Sequence, residues 1–422
     1  MVQASGYIVI FAVIEIGKEM IMRQKDRKSM LLSNITIYTE ETTISHGYLR
    51  IVDGVIKSYG FMEELAAEKK YIDKIIEFPP SYQLIPGLID IHIHGANDAD
   101  VMDATHQALE KMAATLPKEG TTSFLATTMT QREEEIEVAL KNTAAYIKNQ
   151  KQSGISEVLG VHLEGPFISA KKAGAQPLQA IQKPNVELFK KWQSIADNHI
   201  KLVTLAPEEE NGLELVAYLK ETGVVASMGH TAALYEEVLK GIEAGVNHVT
   251  HLYNGMRGLH HRDPGVAGAA LLHKELLAEM IVDGIHIHPQ IVNLTFRQKG
   301  KEGIVLITDS MRAKWMDDGI SSLGGQIVMV KAGKALLENG ALAGSTLKMD
   351  EGIRNMMQFT GCSLEDVIYM GSYNPAKQLG IIDKKGSIKK GKDADLVVLN
   401  KNNEVVMTIC NGEIAHNKME EM

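Results

Sequence analysis

Residues 86–95 read PGLIDIHIHG, and the interpretation of the whole chain depends on this stretch. It is a short apolar run that ends in His92 and His94. Residues two apart on a β-strand point to the same face, so the two imidazoles would project together from one side of a strand. The stretch therefore predicts a buried strand with a pair of histidines at its carboxyl end.

Short apolar runs of this kind recur along the chain and alternate with amphipathic segments. The candidate strands are residues 87–93, 121–128, 158–162, 201–205, 224–228, 248–251, 278–282 and 303–308. The candidate helices are residues 133–148, 186–197, 213–221, 235–244 and 289–299. Eight strands alternating with helices predict an α/β fold, a closed TIM-like (β/α)8 barrel rather than an open doubly wound sheet. No GxGxxG turn opens the first helix, so a dinucleotide-binding fold has no specific support.

Both ends of the chain have β character, unlike its middle. Residues 31–38, 48–52 and 55–59 are β-like, with a hairpin turn at Asp53-Gly54, and residues 395–399 and 405–410 are β-like near the C-terminus. We therefore predict three parts. Residues 30–84 plus 378–422 form a small β-sandwich, residues 85–377 form the catalytic barrel, and residues 1–29 form an extension outside the recognisable fold.

Composition and charge limit the classes of partner. The chain has 422 residues, is 45% hydrophobic, and carries 44 basic against 53 acidic residues, a net charge of −9. This acidic balance argues against general affinity for nucleic acid or an anionic membrane. Cys362 and Cys410 are too few for a disulfide scaffold or a cysteine-based zinc site.

An apolar run near the N-terminus raises the question of location. Residues 7–14 are too few to span a bilayer and make a poor signal peptide. A soluble appendage is the favoured interpretation, with a targeting or anchoring role as the alternative. We expect a cytoplasmic protein.

Polar side chains that bind metals lie at the ends of the candidate strands, where a barrel assembles its active site. They are His92, His94, Glu164, His230, His251, Asp283, His286 and Asp309. Each one alone has an ordinary structural explanation, such as a satisfied polar residue or a helix cap. Together they predict a site for a divalent metal such as zinc, with iron or manganese as substitutes. A metal of this kind lowers the pKa of a bound water enough to make it a nucleophile near neutral pH.

These residues also lie in motifs of a known family. PGLIDIHIHG and GKDADLVVL (391–399) resemble the amidohydrolase superfamily. Within it, the chain resembles the N-acetylglucosamine-6-phosphate deacetylases. The motifs that carry this second resemblance are HLEGPF (162–167), KKAGAQP (171–177), MGHT (228–231), HLYNGM (251–256), HHRDPG (260–265), VDGIHIHP (282–289), ITDS (307–310) and LAGS (342–345). The resemblance covers residues 30 to about 414. It implies hydrolysis of a phosphorylated N-acetyl amino sugar to glucosamine-6-phosphate and acetate, in amino-sugar catabolism and cell-wall sugar recycling, by a homodimer.

The resemblance also implies roles for single residues. Glu164, His230 and His251 would hold the principal metal, and His92 and His94, beside Asp309, would complete a second position. Asp309 would act as general base and then as general acid, and His286 would help to stabilise the oxyanion. The implied substrate-binding residues are Ala175, Gln176, Asn254, Gly255, Arg262, His286, Leu342, Ala343 and Gly344.

Two of these positions carry a further expectation. Some relatives have a histidine where this chain has Gln176, a weaker metal ligand, which favours the version of the site that uses His92 and His94. Arg262 offers a planar fork for the phosphate. His260 and His261 are candidates for the same task, across a subunit boundary, against the alternative of a solvated loop.

Three rival interpretations stay open at this point. The substrate could be another amide or cyclic amide, or the galactosamine isomer. The barrel could also have lost catalysis and serve in binding or assembly, although that would predict broken ligand sets. His162 and His288 are interpreted as structural residues.

Overall fold

A computed structural model describes residues 28–67, 72–151 and 153–419. The interpretation of residues 1–27 therefore lies outside the described residues. The strands are β1 (Ser29–Tyr38), β2 (Thr43–Val52), β3 (Val55–Phe61), β4 (Lys74–Glu77), β5 (Gln83–Pro86), β6 (Leu88–Ile93), β7 (Gly95–Ala96), β8 (Ala99–Asp100), β9 (Thr121–Thr128), β10 (Glu157–Glu164), β11 (Ile200–Leu205), β12 (Val225–Met228), β13 (His248–Val249), β14 (Leu277–Ile281), β15 (Ile304–Ile307), β16 (Gly319–Leu323), β17 (Gln326–Lys331), β18 (Lys334–Leu336), β19 (Leu396–Leu399), β20 (Val405–Cys410) and β21 (Glu413–Asn417). The helices are α1 (His106–Thr115), α2 (Glu133–Asn149), α3 (Val186–Ile195), α4 (Gly212–Glu221), α5 (Tyr235–Ala244), α6 (Gly265–Leu272), α7 (Pro289–Lys299), α8 (Met349–Thr360), α9 (Leu364–Ile368) and α10 (Asn374–Gln378).

The middle of the chain forms a parallel barrel of eight strands in the order β6, β9, β10, β11, β12, β13, β14, β15. Its first and last strands are joined where the Asp309 amide donates to the His92 carbonyl at 2.8 Å and the His94 amide donates to the Ser310 carbonyl at 2.9 Å. The strands are apolar on both faces because one face fills the barrel and the other packs under helices. The predicted fold class is confirmed, and each of the eight predicted strands is present.

Strands from the two ends of the described chain form a second sheet of eight strands. Its order is β21, β20, β19, β5, β1, β2, β3, with β4 paired to β1. The central strand β5 pairs with β1 on one side and with β19 on the other, and it leads directly into β6. The predicted domain boundary at residue 84 falls inside β5, so the sheet does not mark that boundary. The division into domains stays a prediction.

A small antiparallel sheet, β16 to β18, follows the barrel and was absent from the sequence interpretation. Leu323, Val328 and Val330 pack inward against Met129 and Met311. The opposite face is open, and Ile320 and Ile327 are about three-quarters exposed. A surface strand usually alternates apolar and polar residues, but here several exposed positions are apolar as well. The inserted sheet therefore had no clear signal in the sequence.

The candidate helices also lacked α1, α6, α8, α9 and α10. Helix α6 contains only glycine, valine, alanine and leucine, so it has no polar face to mark a helical period. Within the described residues, no helix has both the length and the apolar character needed to cross a bilayer.

Candidate metal centre and active site

A cavity of about 340 Å³ opens where the barrel strands end at their carboxyl termini. It is lined by His94, Met129, Glu164, Gly174, Ala175, Gln176, His230, His251, Tyr253, Asn254, Gly255, His286, Asp309, Leu323, Ala341, Leu342 and Gly344. Most of the sequence-predicted site residues are therefore gathered in one place. His92 lies directly beneath this lining and is fully buried.

Three of the polar residues have a backbone conformation that non-glycine residues rarely adopt. The φ angles of His230, His251 and Asp309 are 48°, 30° and 47°. Such left-handed residues are costly and concentrate at functional sites, where the surrounding fold holds them in place. The chain turns sharply at each strand end, so each side chain is directed into the cavity.

Close packing around one glycine supports this turn. A Cβ atom at Gly229 would lie 2.6 Å from the Cβ of Thr250 and 2.8 Å from the Cγ2 of Thr204. No side chain fits there, so β12 can approach its neighbours closely just before His230. This explains the glycine of the MGHT motif.

Glu164, His230 and His251 form a compact triangle of donor atoms. Glu164 Oε1 is 3.3 Å from His230 Nε2 and 3.2 Å from His251 Nε2, and the two nitrogens are 3.1 Å apart. Ligands about 2.0–2.1 Å from a tetrahedral zinc ion are about 3.3 Å from one another. The observed spacings fit a divalent cation held by these three side chains.

A second group of donors lies beside this triangle. Asp309 Oδ1 is 3.5 Å from His92 Nε2 and 3.3 Å from His94 Nε2. Glu164 contacts both histidines at 3.3 Å, His92 through Oε1 and His94 through Oε2. Glu164 therefore lies between the two groups, and its carboxylate could contribute to either of them.

Hydrogen bonds at the far nitrogens orient the imidazoles. His230 Nδ1 donates to the Lys172 carbonyl at 2.9 Å, and His92 Nδ1 donates to Glu279 at 2.9 Å. Each Nε2 is left with its lone pair toward the cavity. The buried Nε2 of His92 has no hydrogen-bond partner among the described residues, as expected for a ligand atom.

The electrostatics of the site favour positive charge. Burial opposes ionisation of Glu164, but the surrounding His92, His230 and His251 hold the pKa of its carboxyl well below its usual range. Burial also opposes the charged form of His94, yet hydrogen bonds to Asp309 and Glu164 raise its pKa to about 9. An ionised carboxylate in a buried pocket attracts a cation, which a divalent metal would supply.

His286 reaches the cavity from the loop after β14. Its Nδ1 donates to Asp283 at 2.6 Å, so the Nε2 atom is the one free to meet a ligand. Burial opposes ionisation of Asp283, but the hydrogen bond from His286 lowers the pKa of its carboxyl. Asp283 also accepts the amides of Ile285 and His286, both at 2.8 Å, which fixes the loop.

Gln176 takes part in the site through a hydrogen bond to Glu164, a candidate metal ligand. Its amide nitrogen donates to Glu164 Oε2 at 2.6 Å, and its carbonyl oxygen accepts the Thr130 amide at 2.8 Å. The side chain is thus held from both ends. This geometry orients the Glu164 carboxylate.

Two of the sequence-predicted substrate residues lie outside the cavity lining. Ala343 is fully buried behind Leu342 and Gly344. Arg262 is exposed on the loop before α6, where it donates to His261 at 2.7 Å, and the His260 and His261 rings are 4.2 Å apart. Among the described residues, the lining contains no lysine or arginine.

The sequence interpretation missed several residues of the site. Glu279 lies within β14, where an acid in an apolar run had no evident role. Met129, Leu323 and Ala341 come from loops and from the inserted sheet, so no local pattern identified them. His248, buried beside Glu279, was also missed, whereas His162, buried in the same place, is interpreted from the sequence as a structural residue.

Comparison with known proteins gives consistent results. The profile of the amidohydrolase family matches residues 83–415. The chain is 50% identical over 389 residues to the N-acetylglucosamine-6-phosphate deacetylase of Bacillus subtilis (strain 168), covering 92% of this chain and 97% of that protein. It is 36% identical over 379 residues to the N-acetylgalactosamine-6-phosphate deacetylase of Escherichia coli O157:H7, covering 90% and 97%.

A solved structure gives the same result at the level of the fold. It is a mutant N-acetyl-D-glucosamine-6-phosphate deacetylase from Mycobacterium smegmatis in complex with N-acetyl-D-glucosamine-6-phosphate. The TM-score is 0.85 at 29% identity, with 92% of this chain and 100% of that chain covered.

Proposed function

The chain belongs to the amidohydrolase family, and from this premise we propose that it hydrolyses the N-acetyl group of N-acetylglucosamine-6-phosphate, which yields glucosamine-6-phosphate and acetate. The observation that carries the proposal is the pair of donor groups around Glu164 at the carboxyl end of the barrel. Its relatives with this fold act on the same class of phosphorylated amino sugar. A role in amino-sugar catabolism and cell-wall sugar recycling is part of the proposal.

The donor groups assign residues to the metal. Glu164, His230 and His251 would hold the principal ion, and His92, His94 and Asp309 would form a second position. Imidazole and carboxylate donors in this number suit zinc, with iron, manganese or cobalt as substitutes. A divalent metal bound there polarises a carbonyl oxygen and makes water nucleophilic near neutral pH.

Asp309 is the proton carrier in this proposal. It is ionised, because His92 and His94 beside it outweigh the effect of burial and lower the pKa of its carboxyl. It accepts a proton as the water oxygen attacks the acetamide carbon. It then donates that proton to the sugar nitrogen as the C–N bond breaks, since an unprotonated amine is a very poor leaving group.

His286 stabilises the charge that develops on the carbonyl oxygen. Asp283 holds the Nδ1 proton, so the Nε2 atom faces the cavity. A preorganised group at this position acts where negative charge appears in the transition state. The backbone and side chains of Ala175, Gln176, Asn254, Gly255 and residues 342–344 are proposed to hold the sugar.

The phosphate needs a cation that the described lining does not supply. We assign this task to Arg262, with His260 and His261 beside it, because a guanidinium fork matches phosphate oxygens. The exposed position of this loop suits contact with the cavity of a second subunit, so a homodimer is part of the proposal. A cytoplasmic location is also proposed, in keeping with a phosphorylated substrate.

The first experiment measures acetate release. Purified protein with zinc supplied is incubated with N-acetylglucosamine-6-phosphate and, in parallel, with unphosphorylated N-acetylglucosamine. We expect rapid release from the phosphorylated sugar and little from the other, because only the former offers a phosphate to Arg262. Equal release from both sugars would contradict the phosphate contact.

The galactosamine isomer provides the next comparison. If only N-acetylgalactosamine-6-phosphate releases acetate, the epimer in the proposal is wrong and the reaction class stands. If no phosphorylated sugar reacts with metal present, the substrate is another amide or cyclic amide. A chain that binds these sugars and releases nothing would instead be a binding protein.

A further inference from the structure

A fully buried carboxylate lies directly below the metal centre. Glu279 belongs to β14, does not line the cavity, and has no role in the proposed reaction. Its Oε2 atom accepts from His92 Nδ1 at 2.9 Å and from the His251 amide at 3.1 Å. Its Oε1 atom accepts from His248 Nε2 at 3.1 Å.

The hydrogen bonds that Glu279 accepts connect the two groups of candidate metal ligands. His92 belongs to the second donor group and His251 to the principal one, so a single carboxylate oxygen joins the two. The bond from His92 Nδ1 places the proton on that nitrogen and directs the Nε2 lone pair into the site. The bond from the His251 amide holds the backbone at the residue whose φ angle is 30°.

A structural explanation for Glu279 is the main alternative. A buried carboxylate is costly unless it is paired and hydrogen-bonded, and a purely structural acid would satisfy that need with any available donors. Here two of the three hydrogen bonds come from candidate metal ligands, His92 in β6 and His251 just after β13. The third, His248, lies in β13 three residues before His251, so all three act on the same corner of the site.

A separate metal site built from Glu279 and its neighbours, below the two donor groups, does not fit the observed hydrogen bonds. Glu279, His92 and His162 are close enough for one ion. However, His162 Nδ1 donates to the Ile91 carbonyl at 3.2 Å, and its Nε2 accepts from the Thr204 hydroxyl at 2.7 Å. Both ring nitrogens are used, so His162 has no lone pair for a metal.

We propose that Glu279 is a positioning residue that orients His92 and His251 for metal binding by accepting hydrogen bonds from both. The inference rests on the proposed function, since it gives the metal centre its support. Carboxylates behind a ligating histidine fix the tautomer and the orientation of the ring. Glu279 would do this for the ring of His92, and through the backbone amide of His251 it would hold the residue that belongs to the other donor group.

The test measures zinc affinity in the full-length protein, by competition with a chelator of known affinity. Glu279→Gln keeps the shape of the side chain but removes the charge and one of its two acceptor oxygens. We expect zinc affinity to fall about 10–100-fold, as is typical when the partner of a ligating histidine is lost. The melting temperature of the metal-free protein is measured alongside.

Asp395→Asn is the matched control. Asp395 is also a buried acid, and it accepts from Lys385 Nζ at 2.5 Å and from the Asn411 amide at 2.7 Å, but it lies beside the terminal sheet. This variant should lower the melting temperature with zinc affinity unchanged. If Glu279→Gln and Asp395→Asn reduce zinc affinity equally, Glu279 has only a structural role and the proposal is wrong.

A double-mutant cycle tests the route through His92. Added to His92→Gln, the Glu279→Gln change should cost much less zinc affinity than it costs alone, because its main target is already gone. Full additivity would overturn the proposal. If Glu279→Gln does not fold, Glu279→Asp replaces it, since it keeps the charge but is one methylene too short to reach both donors.

The deacetylase assay separates this inference from the proposed function. Wild-type protein that binds zinc but releases no acetate would contradict the function and leave the positioning role to be judged by affinity. Active wild-type protein with unchanged zinc affinity in Glu279→Gln would contradict the positioning role alone.

Discussion

At the scale of single residues, the chemistry of the site depends on which nitrogen of each histidine faces the cavity. His230 and His92 give their Nδ1 protons to a carbonyl and a carboxylate, and both direct Nε2 inward. The ring centroid of His162 is 4.4 Å from that of His92, yet both nitrogens of His162 form hydrogen bonds to other groups. Burial and the nearby His92 lower the pKa of His162 to about 3, so it stays neutral. The hydrogen bonds of the ring nitrogens thus distinguish the proposed ligands His230 and His92 from their neighbour His162.

Replacement of Asp309 tests the proton carrier. Asp309→Asn removes the base but keeps the size of the side chain, so zinc should still bind at Glu164, His230 and His251. We expect kcat to fall by about 10²–10⁴-fold, the range typical of a lost general acid–base group. Acetate release and zinc content are measured on the same sample. Near-normal turnover in a zinc-loaded variant would rule out the assigned role.

His286 and His288 form a natural pair for comparison, because they stand two residues apart in one motif. His286→Gln removes the group proposed to face the carbonyl oxygen, and we expect a loss in kcat of about 10²–10³-fold. His288 is exposed and accepts the Gln290 amide at the start of α7, so His288→Gln should leave kcat unchanged. Steady-state kinetics on both variants checks this, and equal losses would contradict a direct role for His286.

At the scale of elements, the loops after the strands are held by buried contacts away from the metal. Lys314, in the loop after β15, donates to Glu119 Oε1 at 2.7 Å, and Trp315 donates to Glu119 Oε2 at 2.9 Å. Both members of the ion pair are fully buried. This pair ties the loop that follows Asp309 to the turn before β9.

Loss of one partner of this pair should be costly. Lys314→Met leaves Glu119 as an unpaired buried charge, and we expect the free energy of unfolding to fall by about 3–5 kcal/mol. The double variant with Glu119→Gln should recover part of that loss, since no buried charge remains. Lys183→Met, which breaks an exposed pair with Glu210, is the control and should have little effect. Denaturant unfolding measures all three, and equal effects of Lys314→Met and Lys183→Met would contradict the argument.

At the scale of the whole molecule, the residue proposed to bind the phosphate does not line the cavity that holds the proposed metal centre. The Arg262 loop is exposed, while the described lining of the cavity carries no lysine or arginine. A substrate with a dianionic phosphate therefore needs an additional cation at the mouth of the cavity. A second subunit is the proposed source.

A mixed dimer tests that arrangement. One subunit carries Asp309→Asn and the other Arg262→Met, and each homodimer should be nearly inactive on the phosphorylated sugar. If Arg262 acts across the subunit boundary, the purified mixed dimer has one intact site and should recover about half of the wild-type kcat/KM. No recovery would place Arg262 in the site of its own subunit, because both sites of the mixed dimer would then be defective.

The local pattern of the chain was sufficient for the barrel and for most of the donor atoms. A buried parallel strand needs a continuous apolar run, so all eight strands could be identified, and the residue after each run lies at the carboxyl end of the barrel. Glu164, His230, His251 and Asp309 were found in this way. The resemblance to a known family assigned their roles, which local pattern cannot do.

The remaining features depend on contacts between residues far apart in sequence. Glu279 acquires its role because β14 packs beside β13 and near β6, which places its carboxylate within reach of His92 and His251. The left-handed turns at the donor residues, the wall built from β16 to β18 and the exposure of Arg262 also arise only when the strands and loops meet. Hydrophobic periodicity is a local property and survives in the sequence. The direction of a hydrogen bond between distant strands is not a local property, because it is set by packing in three dimensions.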